Sequence, residues 1–286
     1  MTDALIKVRG LSKRYGKKTV LNNLNLDISA GRIVGLVGHN GAGKTTALKC
    51  LLGLATYEGD ISVVGMSPRK ARSTLMNEVC FIADTAILPK WITAAKAIKL
   101  LEQMHPRFIP SVALDLLGKT DIDPGEPVSK LSKGMVTQLH LALVMAIDVP
   151  LLVLDEPTLG LDIVYRHQFY KSLMDDYFDQ QKTIILATHQ IEEVTNLLTD
   201  VVFLKHGEIV LHQTIDEIAE RYCEVLVPSL KQEQARAFSP IYEQPGMGRT
   251  AMLFENADRD SLREFGDLCE AKIDTIFLAK MQSQLT

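Results

Sequence analysis

One stretch constrains this chain more than any other. Gly38-His39-Asn40-Gly41-Ala42-Gly43-Lys44-Thr45 reads GxxxxGK[ST] in full. It follows the short run Arg32–Val37, which has the character of a buried strand, and it opens a helical stretch from Lys44 to about Leu54. Strand, glycine-rich turn and helix in that order make a phosphate-binding loop. The glycines let backbone N–H groups turn toward an anion with no Cβ in the way. The helix N-terminus adds positive potential. Lys44 is placed to reach the β- and γ-phosphates of a nucleoside triphosphate, and the Thr45 hydroxyl is a candidate Mg2+ ligand. Gly38, His39, Asn40, Gly41, Ala42, Gly43, Lys44, Thr45 and Thr46 are therefore candidate contacts for ATP.

A second signal lies downstream. In Leu151-Leu152-Val153-Leu154-Asp155-Glu156-Pro157 an apolar run ends in two carboxylates. Ligands of open α/β sheets sit at the carboxyl edge of the strands. Asp155 is a candidate for holding Mg2+ through water, and Glu156 for polarising an attacking water as general base. Alone, such a pair is as well read as a solvated acidic turn. After a phosphate loop the catalytic reading prevails.

The rest of the chain supplies the frame. Leu5–Val8 and Leu24–Ile28 alternate apolar and polar residues and are expected as half-exposed strands. The basic residues Lys13, Arg14, Lys17 and Lys18 are expected in a solvated turn, with a lean toward bound phosphates as the alternative. The middle third, about Ile87–Ile147, reads as helical, with a helix-period segment at Ala94–Met104. Thr183–Ala187 reads as another buried strand, and Val201–Leu204 with Glu208–Leu211 as a hairpin around His206-Gly207. Strands separated by helices imply an α/β fold with a mostly parallel sheet covered on both faces. Past about Ile218 the composition shifts toward a small α/β extension. It has strands expected at Glu224–Val227 and Ala251–Phe254, and helices at Asp258–Leu268 and Asp274–Met281 capped by Asp258 and Asp274.

Composition excludes several classes. Hydrophobic residues make up 47% and the net charge is −4, so a broad nucleic-acid footprint is not expected. Cys50, Cys80, Cys223 and Cys269 form no metal-ligand spacing, and Cys50 and Cys80 read as small core residues, which fits a reducing cytosol. Met1–Arg9 has no apolar h-region, so no secretory signal is expected. No run reaches the roughly 18–20 apolar residues that cross a bilayer.

Further motifs follow in a fixed order. Leu131-Ser132-Lys133-Gly134-Met135 opens a helix just before the acidic strand. Thr158-Leu159-Gly160-Leu161-Asp162 follows it, and Ala187-Thr188-His189-Gln190 closes the next strand. With Lys13-Arg14-Tyr15-Gly16 near the start, this series resembles the ABC ATPase family from about Leu5 to Ile218. Type, order and context all agree.

The resemblance implies a P-loop NTPase (RecA-like) core, with an antiparallel β subdomain and a helical subdomain at about 85–147. It places the nucleotide-binding domain at 1–218 and the extension at 219–286. It implies that Tyr15 stacks on adenine. Two such domains pair head to tail, with Ser132 and Gly134 contacting the γ-phosphate held by the opposite subunit. Asp162 couples the two sites, and His189 positions the γ-phosphate and water. The implied partners are a second nucleotide-binding subunit and a multi-spanning membrane permease, so the chain is expected at the inner face of the cell membrane.

Two departures stand out. Asp84 occupies the place of the family's usual glutamine, where a carboxylate can also ligate Mg2+ with a shorter reach. Lys133 and Met135 replace glycine and glutamine of the signature LSGGQ, a variant that resembles the exporter-type branch. The alternative is a soluble ABC ATPase acting on nucleic acid or the ribosome. Such chains carry coiled-coil insertions or two P-loops, and this one has neither. Trp91, just after Asp84, is either a permease anchor or ordinary packing.

Overall fold

The computed structural model describes residues 4–83, 88–159, 161, 163–179 and 181–282. In chain order the strands are β1 (Ile6–Tyr15), β2 (Lys18–Ile28), β3 (Ile33–Val37), β4 (Glu58–Val63), β5 (Val79–Ile82), β6 (Leu151–Asp155), β7 (Thr183–Thr188), β8 (Asp200–Lys205), β9 (Glu208–Thr214), β10 (Tyr222–Pro228), β11 (Tyr242–Pro245), β12 (Arg249–Glu255) and β13 (Asp267–Glu270). The helices are α1 (Lys44–Leu51), α2 (Arg72–Leu75), α3 (Ala94–Met104), α4 (Pro110–Leu117), α5 (Lys133–Met145), α6 (Ile163–Ser172), α7 (Ile215–Arg221), α8 (Gln232–Arg236), α9 (Arg259–Leu262) and α10 (Ile273–Gln282).

The central sheet has the order β5-β6-β7-β3-β8-β9, parallel except for β9. Its parallel strands β3, β6, β7 and β8 are largely apolar because both of their faces are covered. Alternation then divides each strand between two cores. Ile33 and Val37, Leu152 and Leu154, Ile184 and Leu186, Val201 and Phe203 face the larger core, beneath the helical region and α10. Val34 and Leu36, Leu151 and Val153, Ile185 and Ala187, Val202 and Leu204 face the smaller core. That core is closed by α1 and the antiparallel sheet β2-β1-β4.

The extension is a four-stranded antiparallel sheet, β11-β12-β10-β13. One face, with Cys223, Val225, Val227, Met252 and Phe254, packs on Ala235 of α8 and Leu262 of α9. From the other face, Tyr222 and Leu253 join the larger core together with Ile273, Ile276 and Ala279 of α10. A buried lysine holds α10 down: Lys205 Nζ donates to the carbonyls of Met281 (2.5 Å) and Lys280 (3.3 Å). A cation at a helix C-terminus satisfies carbonyls that have no partner in the helix and complements its dipole.

Several expectations need correction. β1 runs on to Tyr15, so Lys13 and Arg14 lie in a strand, while Lys17 lies in the turn and Arg14, Lys17 and Lys18 are solvated as expected. Lys13 is buried, donates to Thr56 Oγ1 at 2.8 Å and stacks over the Tyr15 ring. The helix expected over Asp258–Leu268 is only the short α9, and Asp267–Glu270 forms an edge strand instead. Asp258 does cap α9, accepting from Asp260 N and Ser261 N, whereas Asp274 lies inside α10 and does not cap it. The buried Cys50 and Cys80 are core residues, with burial pushing their thiols up to about 11 and about 12.

Candidate functional site

β6, β7 and β3 are neighbours in the sheet, so their carboxyl ends present three chain segments side by side. After β3 comes the loop Gly38–Gly43, after β6 Glu156, and after β7 His189. Parallel order and register therefore gather residues more than a hundred positions apart in sequence.

The loop enters α1 through Gly43 at φ 112°, a region closed to side chains. A Cβ there would also meet Leu21 Cδ2 at 2.8 Å. The β8–β9 hairpin supports the loop from one side: Gly207 N donates to Ala42 O at 3.0 Å, and the His206 ring packs edge-on against His39.

Lys44 is 6% exposed; its Nζ donates to Gly38 O at 2.7 Å and lies 3.3 Å from Glu156 Oε1. The other Glu156 oxygen, Oε2, lies 2.9 Å from His189 Nδ1. One carboxylate thus bridges the phosphate-loop lysine and the histidine of the next strand. Glu156 sits at φ 50°, an uncommon conformation for a residue with a side chain, held by its N–H donating to Ala187 O at 2.9 Å. Strain of this kind persists where surrounding structure dictates it, and it clusters at functional sites. Asp155, the last residue of β6, is buried.

Behind this edge, Thr158 Oγ1 and the Tyr170 hydroxyl are 3.1 Å apart, and burial pushes the phenol up to about 12. Arg166 of α6 donates Nε to Leu161 O at 2.8 Å and Nη1 to Gln190 Oε1 at 2.8 Å, and pairs with Glu193. It ties the turn after β6 to the segment that carries His189.

A cavity of about 260 Å3 opens over the loop, lined by His39, Asn40, Gly41, Gly43, Lys44, Thr45, Thr46 and Glu156, with Lys18 and Val20 of β2. The structure thus gathers most of the loop candidates around one cleft. Lys18 is the member of the basic cluster that leans toward it. Tyr15, half exposed, ends β1 and pairs in register with Lys18. Ser132 and Gly134 do not line this cavity. Ser132 caps α5, its hydroxyl accepting from Met135 N at 3.2 Å, and Gly134 is buried under Tyr165. Asp84 and Asp162 lie outside the described residues.

Sequence reasoning missed Val20, Arg166 and Tyr165. Val20 reaches the cleft only through the β1–β2 register. Arg166 carried a weak signal: a basic residue one turn into the helix after an acidic turn.

The chain matches the family described as ABC transporter over residues 21–159. It is 32% identical over 216 residues to a lantibiotic transport ATP-binding protein of Streptococcus pyogenes, covering 74% of this chain and 92% of the relative. It is 35% identical to Nod factor export ATP-binding protein I of Burkholderia orbicola (72% of this chain, 70% of the relative). It is 29% identical to a bacitracin transport ATP-binding protein of Enterococcus faecalis (76% and 71%). A solved structure described as the ATP binding subunit of an ABC transporter superposes with a TM-score of 0.67 at 25% identity, covering 76% of this chain and 92% of that one.

Proposed function

The chain belongs to the ABC transporter family of ATP-binding, ATP-hydrolysing subunits, and we propose that it forms one half of a head-to-tail pair that drives a separate export permease. The observation that carries the hydrolytic part is the Glu156 bridge, 3.3 Å to Lys44 and 2.9 Å to His189.

The loop amides and Lys44 receive the β- and γ-phosphates. In doing so Lys44 turns from Gly38 O and Glu156 toward the phosphate oxygens. Glu156 Oε1 is then free to accept a proton from the attacking water, at the moment the substrate is in place. His189, already beside Oε2, orients the carboxylate and the γ-phosphate. The accessible Thr45 hydroxyl and the buried Asp155 carboxylate form an oxygen donor set suited to a hard divalent ion, and Asp84 is the further candidate. When bound, Mg2+ neutralises charge on the β- and γ-oxygens. Tyr15 offers its ring to adenine beside Lys18.

The cleft is open to solvent on one side, and none of Leu131–Met135 contributes to its lining. That supports completion of the site by Ser132 and Gly134 of a second subunit, a copy or a close homologue, with Asp162 at the contact. The α5 N-terminus then faces the γ-phosphate. We assign 1–218 to the nucleotide-binding domain, with a helical subdomain at about 85–147, and 219–286 to the extension. No described helix is long and apolar enough to cross a membrane, so membrane attachment falls to the permease. Trp91, 70% exposed at the entrance to α3, offers an aromatic anchor for it. Export is the direction named for the Nod factor relative.

Glu156→Gln should retain ATP and trap the closed pair. Pulled from detergent-solubilised membranes with Mg-ATP, the tagged variant is expected to bring a multi-spanning membrane protein. Ribosomes, nucleic acid or soluble proteins alone would overturn the transport reading.

A further inference from the structure

Gly134 stands in the first turn of α5 with φ in the ordinary negative range, so no left-handed backbone demands glycine there. A glycine in a helix is disfavoured relative to alanine because it gives up more backbone freedom. What excludes a side chain is a close approach. A Cβ on Gly134 would lie 2.4 Å from Tyr165 Cζ, 2.6 Å from Cε2 and 2.8 Å from the hydroxyl oxygen. The tyrosine ring rests on the backbone of the helix that opens at Ser132.

Tyr165 and Arg166 are consecutive residues in the first turn of α6, about 100° apart around the helix, and they grip different elements. Arg166 holds Leu161 O, Gln190 and Glu193, the surroundings of His189. Tyr165 holds Gly134. One helical turn thus touches both the segment that carries His189 and the helix that opens at Ser132.

We infer that Tyr165 is a positioning residue of the ATPase cycle: through its seat on Gly134, the first turn of α6 sets the orientation of the α5 N-terminus according to the state of the chain's own His189 segment. This rests on the reading that α5 completes the partner's site. The half-buried Tyr165 ring is the contact through which a shift of α6 reaches Gly134. Glycine at 134 is then required from behind, by Tyr165, as well as by the phosphate in front.

The test uses the full chain as wild type, Gly134→Ala, Tyr165→Ala, Ser132→Glu, Gly134→Ala/Tyr165→Ala and Gly134→Ala/Tyr165→Phe. The readouts are turnover at saturating ATP, binding of a fluorescent ATP analogue, and melting temperature. Gly134→Ala is expected to lower kcat at least tenfold with nucleotide binding at the chain's own loop unchanged. Adding Tyr165→Ala should recover at least fivefold. Adding Tyr165→Phe should not, because both ring carbons remain in the way. A double variant with Tyr165→Ala no faster than Gly134→Ala would overturn the inference, as would recovery of melting temperature without turnover. If Ser132→Glu leaves turnover intact, the paired-site reading fails and takes the inference with it. If Ser132→Glu abolishes turnover and the double variant stays slow, the inference alone fails.

Discussion

At the carboxyl edge of β3, β6 and β7, Lys44, Glu156 and His189 are held in one chain of contacts, 3.3 and 2.9 Å long. At the start of α5 no comparable cluster is present among the described residues. Ser132 caps its own helix, Gly134 lies under Tyr165, and neither lines the cleft. Proton transfer needs its groups fixed to within hydrogen-bonding reach, and neighbouring parallel strands supply that within one chain. Under the pairing proposed above, the α5 surface need only be shaped and charged for another subunit. On that proposal the difference teaches how hydrolysis can be gated: the candidate acid–base groups wait in place, and the step is released by what a partner brings.

The sharpest way to break this contrast is to damage each half. Lys44→Ala should weaken ATP binding and lower turnover by roughly 10^2–10^3-fold, the scale of removing one preorganised electrostatic contact. Ser132→Glu should lower turnover comparably, by setting a carboxylate against the γ-phosphate, while ATP binding to the chain's own loop stays normal. Equilibrium binding alongside steady-state turnover separates the two. Equal loss of binding in both would place α5 in the chain's own cleft.

Arg166→Ala probes how firmly the prebuilt half is braced. With Leu161, Gln190 and Glu193 released, kcat should fall by about tenfold, since small misplacements of catalytic groups are costly, and KM should change little. Lysine at 166 should restore only part, because an ammonium lacks the planar fork that spans those partners. Unchanged kcat would show that His189 is held by other means.

The smallest effect lies in the extension, away from both halves. Glu224, 7% exposed, has its carboxyl pushed up by burial, with the Thr275 hydrogen bond opposing. A raised folded pKa means the native state binds more protons than the unfolded one, so stability falls as pH rises through the folded value. Glu224→Gln should remove that fall, so the variant's melting temperature should gain on the wild type's as pH rises from about 5 to about 8. Turnover should not change, and a change would tie the extension to the site.

Much of this was legible in sequence because the relevant signals are local. The glycine loop, the apolar run ending at Asp155-Glu156 and the helix Ala94–Met104 are each contained in a short window. Glu156 and His189 could be nominated, but their meeting on Lys44 depends on β7 lying between β3 and β6, a sheet order no window contains. Lys13 looked like part of a solvated cluster because the acceptor of its ammonium, Thr56, lies more than forty residues away. The short α9 and the edge strand β13 misled because Asp267 and Leu268, which a helix could have taken, pair with β10 instead. Tyr165 was invisible for the same reason: its role is a contact across two helices, not a pattern along one.

The most direct test of the composite site mixes two disabled chains. Lys44→Ala and Ser132→Glu are each expected to be inactive alone. Combined in equal amounts, random pairing makes half the dimers mixed, each with one intact loop facing one intact α5, so activity should return to about a quarter of wild type. A mixture no more active than its two components would contradict the account.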